Sequence, residues 1–122
     1  MYCLWYFIFL FDRWAAQVSK QTGLVWPSGD CKPIIATLRT PVELIVDTDA
    51  TIFRDKDDLD WFEGAYVQID GVGTVLIMRH DNSPSGLTAL YVDASCHVHS
   101  AVTLLVQFFG LSPKDVKWQT KA

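Results

Sequence analysis

Residues 65–93 read AYVQIDGVGTVLIMRHDNSPSGLTALYVD and contain three runs of β-branched, aromatic and aliphatic residues separated by turn residues. The predicted strands cover 65–70, 73–80 and 87–93. The pair Asp70-Gly71 is a tight-hairpin signal, because glycine tolerates a positive φ, and DNSPSG joins the second pair of strands. The run GTVLIMRH is apolar at both alternating sets of positions, which predicts a central strand. Together the three strands form an antiparallel meander.

The segments on either side of the meander predict three more strands and a helix. The additional strands cover 34–39, 42–47 and 50–54, with Pro41 separating the first two. After the meander, Ser95 is expected to cap a helix that runs to about Phe109, with Gly110 ending it. The apolar residues of this helix form one stripe, so the helix is expected to pack on the sheet.

The chain begins with eleven consecutive apolar residues, Met1 to Phe11, of which six are aromatic. The spacing of apolar residues predicts a helix from about residue 3 to 21, and the alternative is a strand over 2–10 followed by a shorter helix from Asp12. A membrane span needs about 20 apolar residues, and a secretory signal needs a basic leading region, so neither is expected. The run is interpreted as core, or as an exposed aromatic surface that forms a homodimer interface.

These elements predict a two-layer α+β fold. It has one mostly antiparallel sheet of about five to seven strands, with an N-terminal and a C-terminal helix packed on one face. The length of 122 residues fits a single domain, 1–122, which buries enough surface to fold without a metal or a disulfide. The three cysteines, Cys3, Cys31 and Cys96, match neither a disulfide framework nor a zinc signature, which indicates a reducing cytoplasm.

Eight of the fourteen carboxylates lie between Glu43 and Glu63, against two bases, Arg54 and Lys56. This acidic segment, residues 43–63, has a formal charge of −6, and the rest of the chain has +2. The sequence pI of about 5.1 argues against nucleic-acid binding through phosphates. A concentrated negative field that contains large aromatics is typical of a surface facing a basic protein or cationic ligand. The predicted contact residues are Asp55, Asp57, Asp58, Asp60, Trp61, Phe62 and Glu63.

The acidic segment has two other interpretations. A calcium loop of twelve residues opening at Asp55 would need glycine sixth and glutamate twelfth, but the sequence has Asp60 and Tyr66 there, so no metal or other cofactor is expected. The remaining alternative is a solvated turn or short helix that begins at Asp57 or Asp58 and ends at Gly64.

A second candidate site is DASCHVHS, residues 93–100, where a strand is expected to meet a helix. Cys96 and His99 lie three residues apart and would share a face of that helix, with His80 or Asp93 assisting. This group would suit a small thiol- or metal-dependent enzyme, in which Cys96 is the nucleophile and His99 the base or ligand. The motifs GxSxG, CxxC and HExxH do not occur, which favours a structural cysteine instead.

The sequence therefore predicts a small binding protein without catalytic activity, which uses the acidic segment to contact a basic protein or cationic ligand. The Cys96 enzyme is the first alternative. A homo-oligomeric structural or ligand-binding subunit is the second.

Overall fold

The computed structural model describes residues 26–56, 60–82 and 86–121. Within these ranges the chain forms one antiparallel sheet and two short helices. The strands are β1 (Cys31–Thr37), β2 (Phe53–Lys56), β3 (Trp61–Ile69), β4 (Gly73–His80), β5 (Thr88–Asp93) and β6 (Val116–Gln119), and the helices are α1 (Pro41–Ile45) and α2 (Val98–Phe109). The strand order is β2-β3-β4-β5-β1-β6, so β2 and β6 are the two edges.

The predicted two-layer fold, with an N-terminal and a C-terminal helix on one face, is wrong. The described residues are mostly a six-stranded antiparallel sheet, and their helices have only five and twelve residues. Nor do they end on a helix, because the chain continues after α2 into β6, which pairs with β1. The predicted helix over 3–21, its alternative strand over 2–10 and the predicted dimer interface lie outside the described residues.

The predicted strand over 42–47 is also wrong, because this segment begins with helix α1. Thr40 is the N-cap, with an extended backbone, and Pro41 occupies the first turn, where a missing N–H costs nothing. The Glu43 backbone N–H donates to Thr40 Oγ1 at 3.2 Å, and the Thr40 N–H donates to Glu43 Oε1 at 3.0 Å. Hydrogen bonds from the Thr40 backbone and hydroxyl lower the pKa of Glu43. This reciprocal capping box outweighs the strand preference of the β-branched residues that follow.

We expect Thr40→Ala to lower the free energy of unfolding by about 1 kcal/mol, because it removes the cap of a helix too short to persist alone. Chemical denaturation of the purified protein measures this. Thr40→Ser keeps the hydroxyl acceptor and should stay close to wild type. Equal losses in the two variants would show that the methyl group, and not the cap, is what stabilises this end of the helix.

The predicted meander is confirmed. Strands β3, β4 and β5 pair in sequence, and the β3–β4 register runs from Phe62 opposite His80 to Ile69 opposite Gly73. Gly71 in the connecting turn has φ +85°, the conformation that the hairpin signal required. β4 is central, and its four residues from Val75 to Met78 are all fully buried.

Helix α2 begins later than predicted, with His97 and not Ser95 as the N-cap. The reason is that Ser95 is already engaged, because its backbone N–H and its hydroxyl both donate to the Asp93 carboxylate. Gly110 ends the helix in the left-handed conformation, as predicted. Neither helix in the described ranges is long and apolar enough to cross a membrane.

The two faces of the sheet carry separate hydrophobic clusters. The first, called here the helix face, includes buried side chains of both helices and of the strands: Ile34, Ile35, Leu44, Ile45, Ala65, Val67, Ile69, Val75, Ile77, Leu90, Val92, Ala101, Val102, Leu105, Phe109 and Leu111. The second, called the Trp26 face, comprises Trp26, Cys31, Ala36, Phe62, Leu76, Met78, Leu87, Ala89 and Tyr91.

Candidate functional site

The acidic segment runs from α1 through the edge strand β2 into the start of β3. In the β2–β3 pair Arg54 lies opposite Glu63, and Lys56 lies opposite Trp61. Side chains directly opposite each other in an antiparallel pair share a face of the sheet. The two bases of the segment therefore lie on the same side of the sheet as Trp61 and Glu63.

The two aromatic residues of the segment lie on opposite faces. Strand β3 begins at Trp61, earlier than predicted, and successive residues of a strand alternate between faces. Trp61 is 46% exposed, whereas Phe62 is 1% exposed and belongs to the Trp26 face. The Trp61 ring is contacted by Lys56, whose Nζ lies 5.9 Å from the ring centroid. Of these two aromatic residues, only Trp61 is therefore exposed to solvent.

Arg54 neutralises part of the acidic charge. Its Nη1 lies 3.6 Å from Glu63 Oε2, and its Nη2 donates to Asp81 Oδ2 at 2.6 Å. The hydrogen bond with Asp81 is the main reason that the pKa of Arg54 is raised. Both pairs are partly exposed, so each contributes little to stability. They do fix the Glu63 carboxylate beside a cation, which makes it a weak attractor for a second one.

Asp60 has a structural role. Its carboxylate accepts hydrogen bonds from the Asn82 backbone N–H at 2.7 Å and from Asn82 Nδ2 at 3.0 Å. Desolvation raises the pKa of Asp60, but hydrogen bonds from the Asn82 and Trp61 backbones outweigh it, so the pKa is lowered. Asp60 therefore ties the start of β3 to the turn after β4.

The other carboxylates of the segment differ in how far they are engaged. Glu43 serves the α1 cap and pairs with Arg39, whose Nε lies 3.3 Å from Glu43 Oε2. Asp47 and Asp49 are exposed and Asp55 is half-buried, and none of the three forms an ion pair within the described ranges. Asp57 and Asp58, two of the predicted contact residues, lie outside those ranges. Among the described carboxylates of the acidic segment, Asp47 and Asp49 are therefore the exposed ones that form no ion pair.

The second candidate site does not have the geometry that the sequence suggested. Cys96 lies in the turn before α2, where its N–H donates to the Asp93 carbonyl and its Sγ is 3.7 Å from the Val72 carbonyl oxygen. The helix begins at Val98, so Cys96 precedes its N-cap and has no helical i, i+3 relation to His99. His99 is exposed on the first turn.

Asp93 is a structural acceptor that joins two loops. Its carboxylate accepts from the Ser28 backbone N–H at 2.9 Å and from the Ser95 backbone N–H at 3.0 Å, and also from the Ser95 hydroxyl. Burial works to raise the pKa of Asp93, but these hydrogen bonds outweigh it and lower the pKa to about 2. A carboxylate so fully engaged is suited to holding the loops together and not to proton transfer at neutral pH.

His80 is remote from Cys96. Strands β4 and β5 are antiparallel, and Leu76 pairs with Tyr91. From this pair His80 lies four residues along the sheet in one direction, and Asp93 lies two residues in the other. At about 3.3 Å per residue this separates the levels of His80 and Asp93 by about 20 Å. Within the described ranges, no three His, Cys, Asp or Glu side chains are grouped to hold a metal ion.

A shallow cleft of about 400 Å³ lies at the other end of β3, lined by Gln68, Ile69, Asp70, Leu104, Gln107 and Phe108. Trp61 and Ile69 are the two ends of β3, so about 27 Å of strand separates Trp61 from this cleft. One small ligand therefore cannot contact both this cleft and the exposed side of the β2–β3 pair that carries Arg54, Lys56, Trp61 and Glu63.

Sequence reasoning missed how the exposed surface around Trp61 is held in place, namely the pairing of Arg54 with Asp81 and the hydrogen bonds of Asn82 to Asp60. Asp81 and Asn82 follow β4 and reach the segment only through the β3–β4 pairing, so no local signal marks them. The opposite exposure of Trp61 and Phe62 could have been predicted from the sequence. If β3 is extended back to residue 61, the alternation of side chains along a strand places these two residues on opposite faces.

Comparison of the chain with protein-family models, with curated proteins and with solved structures finds no match.

Proposed function

We propose that the protein is a small non-catalytic binding protein whose acidic segment contacts a basic protein or cationic ligand. The observation that carries the proposal is Trp61, a tryptophan 46% exposed on an edge pair of strands within the most acidic part of the chain. Buried tryptophans at interfaces contribute much of the binding energy, whereas surrounding charges mainly set the encounter rate and the choice of partner.

The proposal gives different roles to the predicted contact residues. Trp61 is the anchor, and Asp57 and Asp58 supply attraction together with Asp47 and Asp49. Asp55 lies opposite Phe62, so its side chain is on the other face of the sheet from Trp61 and adds only to the long-range field. Glu63 contributes less, because Arg54 already lies beside it. Asp60 and Phe62 support the surface from within, through the Asn82 hydrogen bonds and the core. The cytoplasm remains the proposed compartment, on cysteine usage alone.

We expect Asp57→Asn/Asp58→Asn to weaken binding of a fluorescently labelled, arginine- and lysine-rich peptide by about 3- to 10-fold at low salt. The salt dependence of binding should flatten as well, because fewer charges take part. Fluorescence anisotropy at low and raised salt measures both effects. Asp60 is left intact, since its substitution would disturb the Asn82 turn.

Asp70→Asn is the control, because Asp70 is exposed and follows the far end of β3. It should change affinity by less than half as much as the double variant. An acidic peptide of equal length should not bind. If Asp70→Asn weakened binding as much per charge removed as the double variant, only total charge would matter, and the proposed surface would then be abandoned.

A further inference from the structure

The Trp26 face of the sheet is apolar, although both described helices lie on the opposite face. No residue of α1 or α2 belongs to its cluster, and its described members outside the strands are only Trp26 and Leu87. The strand side chains of this face are nevertheless buried, and Leu76, Met78 and Tyr91 are each 0% exposed. A sheet that is apolar on both faces needs a covering layer on each.

The chain itself indicates what supplies this layer. Trp26, the first described residue, is only 5% exposed and belongs to this same cluster, so the point at which residues 1–25 join the described fold lies on this face. Those residues include the eleven apolar residues Met1 to Phe11. Two internal stretches, 57–59 and 83–85, also lie outside the described ranges. Each has three residues, most of them polar, which is too short and too polar to cover an apolar sheet face.

We propose that the segment Met1–Phe11 packs across the Trp26 face and supplies the covering layer on that side of the sheet. Its length is adequate in either predicted conformation. The strands β3, β4, β5 and β1 that carry the face lie about 4.8 Å apart and span about 15 Å, and eleven residues extend about 16 Å as a helix and more as a strand. Its six aromatic residues match a face built from large apolar side chains.

Two native thiols test this directly. Cys31 is buried in the Trp26 face, and Cys96 is half-buried and packs against the helix face. We expect Cys31 of the full chain, kept reduced, to react slowly with iodoacetamide. Phe7→Asp/Phe11→Asp or Tyr6→Asp/Leu10→Asp should raise its rate at least 10-fold. Each pair is four residues apart and so shares a side in both a helix and a strand. The Cys96 rate, read from its own peptide by mass spectrometry, should stay unchanged.

A second measurement avoids destabilising substitutions. Photo-crosslinking from p-benzoylphenylalanine in place of Phe7, and separately of Tyr6, should give adducts within one chain on peptides of β4 or β5, with Met78 a favourable target. Val42, exposed on α1, is the control position and should give none there. Light scattering of the same samples should show a monomer.

Three results would overturn the proposal. The first is an unchanged Cys31 rate in both double variants. The second is that the intrachain adducts fall on α2 peptides. The third is a dimer with adducts between chains, because a second copy would then be what covers this face.

Discussion

Replacing Asp93 by asparagine is expected to lower the free energy of unfolding at pH 7 by about 2 kcal/mol. The carboxylate offers two acceptor oxygens, which take hydrogen bonds from Ser28 and from Ser95. An amide has a single acceptor oxygen. In the asparagine variant the NH₂ group, a donor, would therefore face one of the two serine N–H groups, which are also donors. Either the loop before β1 or the turn before α2 would lose its hydrogen bond to this side chain, so the two segments would no longer be joined through it.

The stability of the wild-type protein should depend on pH in a defined window because of this group. The folded pKa of Asp93 is about 2, below the value of about 3.9 in an unfolded chain. The contribution is therefore fully present above about pH 4 and is lost as the pH falls towards 2. Urea denaturation at pH 7 and at pH 2.5 should show the gap between wild type and Asp93→Asn narrowing at the lower pH.

Asp49→Asn is the matched control, because Asp49 is exposed and forms no ion pair within the described ranges. Its stability should lie within about 0.5 kcal/mol of wild type at both pH values. A gap for Asp93→Asn that is as large at pH 2.5 as at pH 7 would contradict the proposed charge-dependent role.

Local signals predicted the parts of the fold that local residues determine. The Asp70-Gly71 hairpin, the central position of β4 and the stop at Gly110 were all predicted from short-range chemistry, and the structure confirms them. The error over α1 is also local: Thr40 and the glutamate three residues later form a capping box that the sequence contains, whereas the prediction rested on the β-branched residues that follow.

The overall architecture required information that no local signal contains. Strand β1 pairs with β5, which places Cys31 opposite Asp93, and β6 adds beyond β1 to complete the sheet. Both pairings join residues distant in sequence. The candidate surface shows the same limit: the charge cluster was evident from composition, but the hydrogen bond between Arg54 and Asp81 joins residues 27 positions apart. Composition therefore indicated where charge is concentrated, and not how much of it is already paired.

Phe62→Ala should have the largest effect on stability, a loss of about 3–5 kcal/mol in the free energy of unfolding. Phe62 is 1% exposed, and its ring packs edge-on against Phe53 at 6.4 Å and against His80 at 6.1 Å between ring centroids. Removing it leaves a cavity next to β2, which pairs with a single strand, β3, among the strands that the structure describes. Denaturation by urea measures the loss, and Phe62→Leu should recover much of it.

Trp61→Ala, one residue earlier, is expected to weaken binding while leaving the stability of the fold nearly unchanged. The Trp61 ring is nearly half exposed and its described ring partner is Lys56, so stability should change by about 1 kcal/mol or less. Binding of the basic peptide should weaken about 10- to 30-fold, the loss typical of an interfacial tryptophan. Unchanged binding by a folded Trp61→Ala protein would show that the exposed aromatic is not an anchor. The two substitutions separate the fold from the proposed function, because adjacent residues of one strand lie on opposite faces of the sheet.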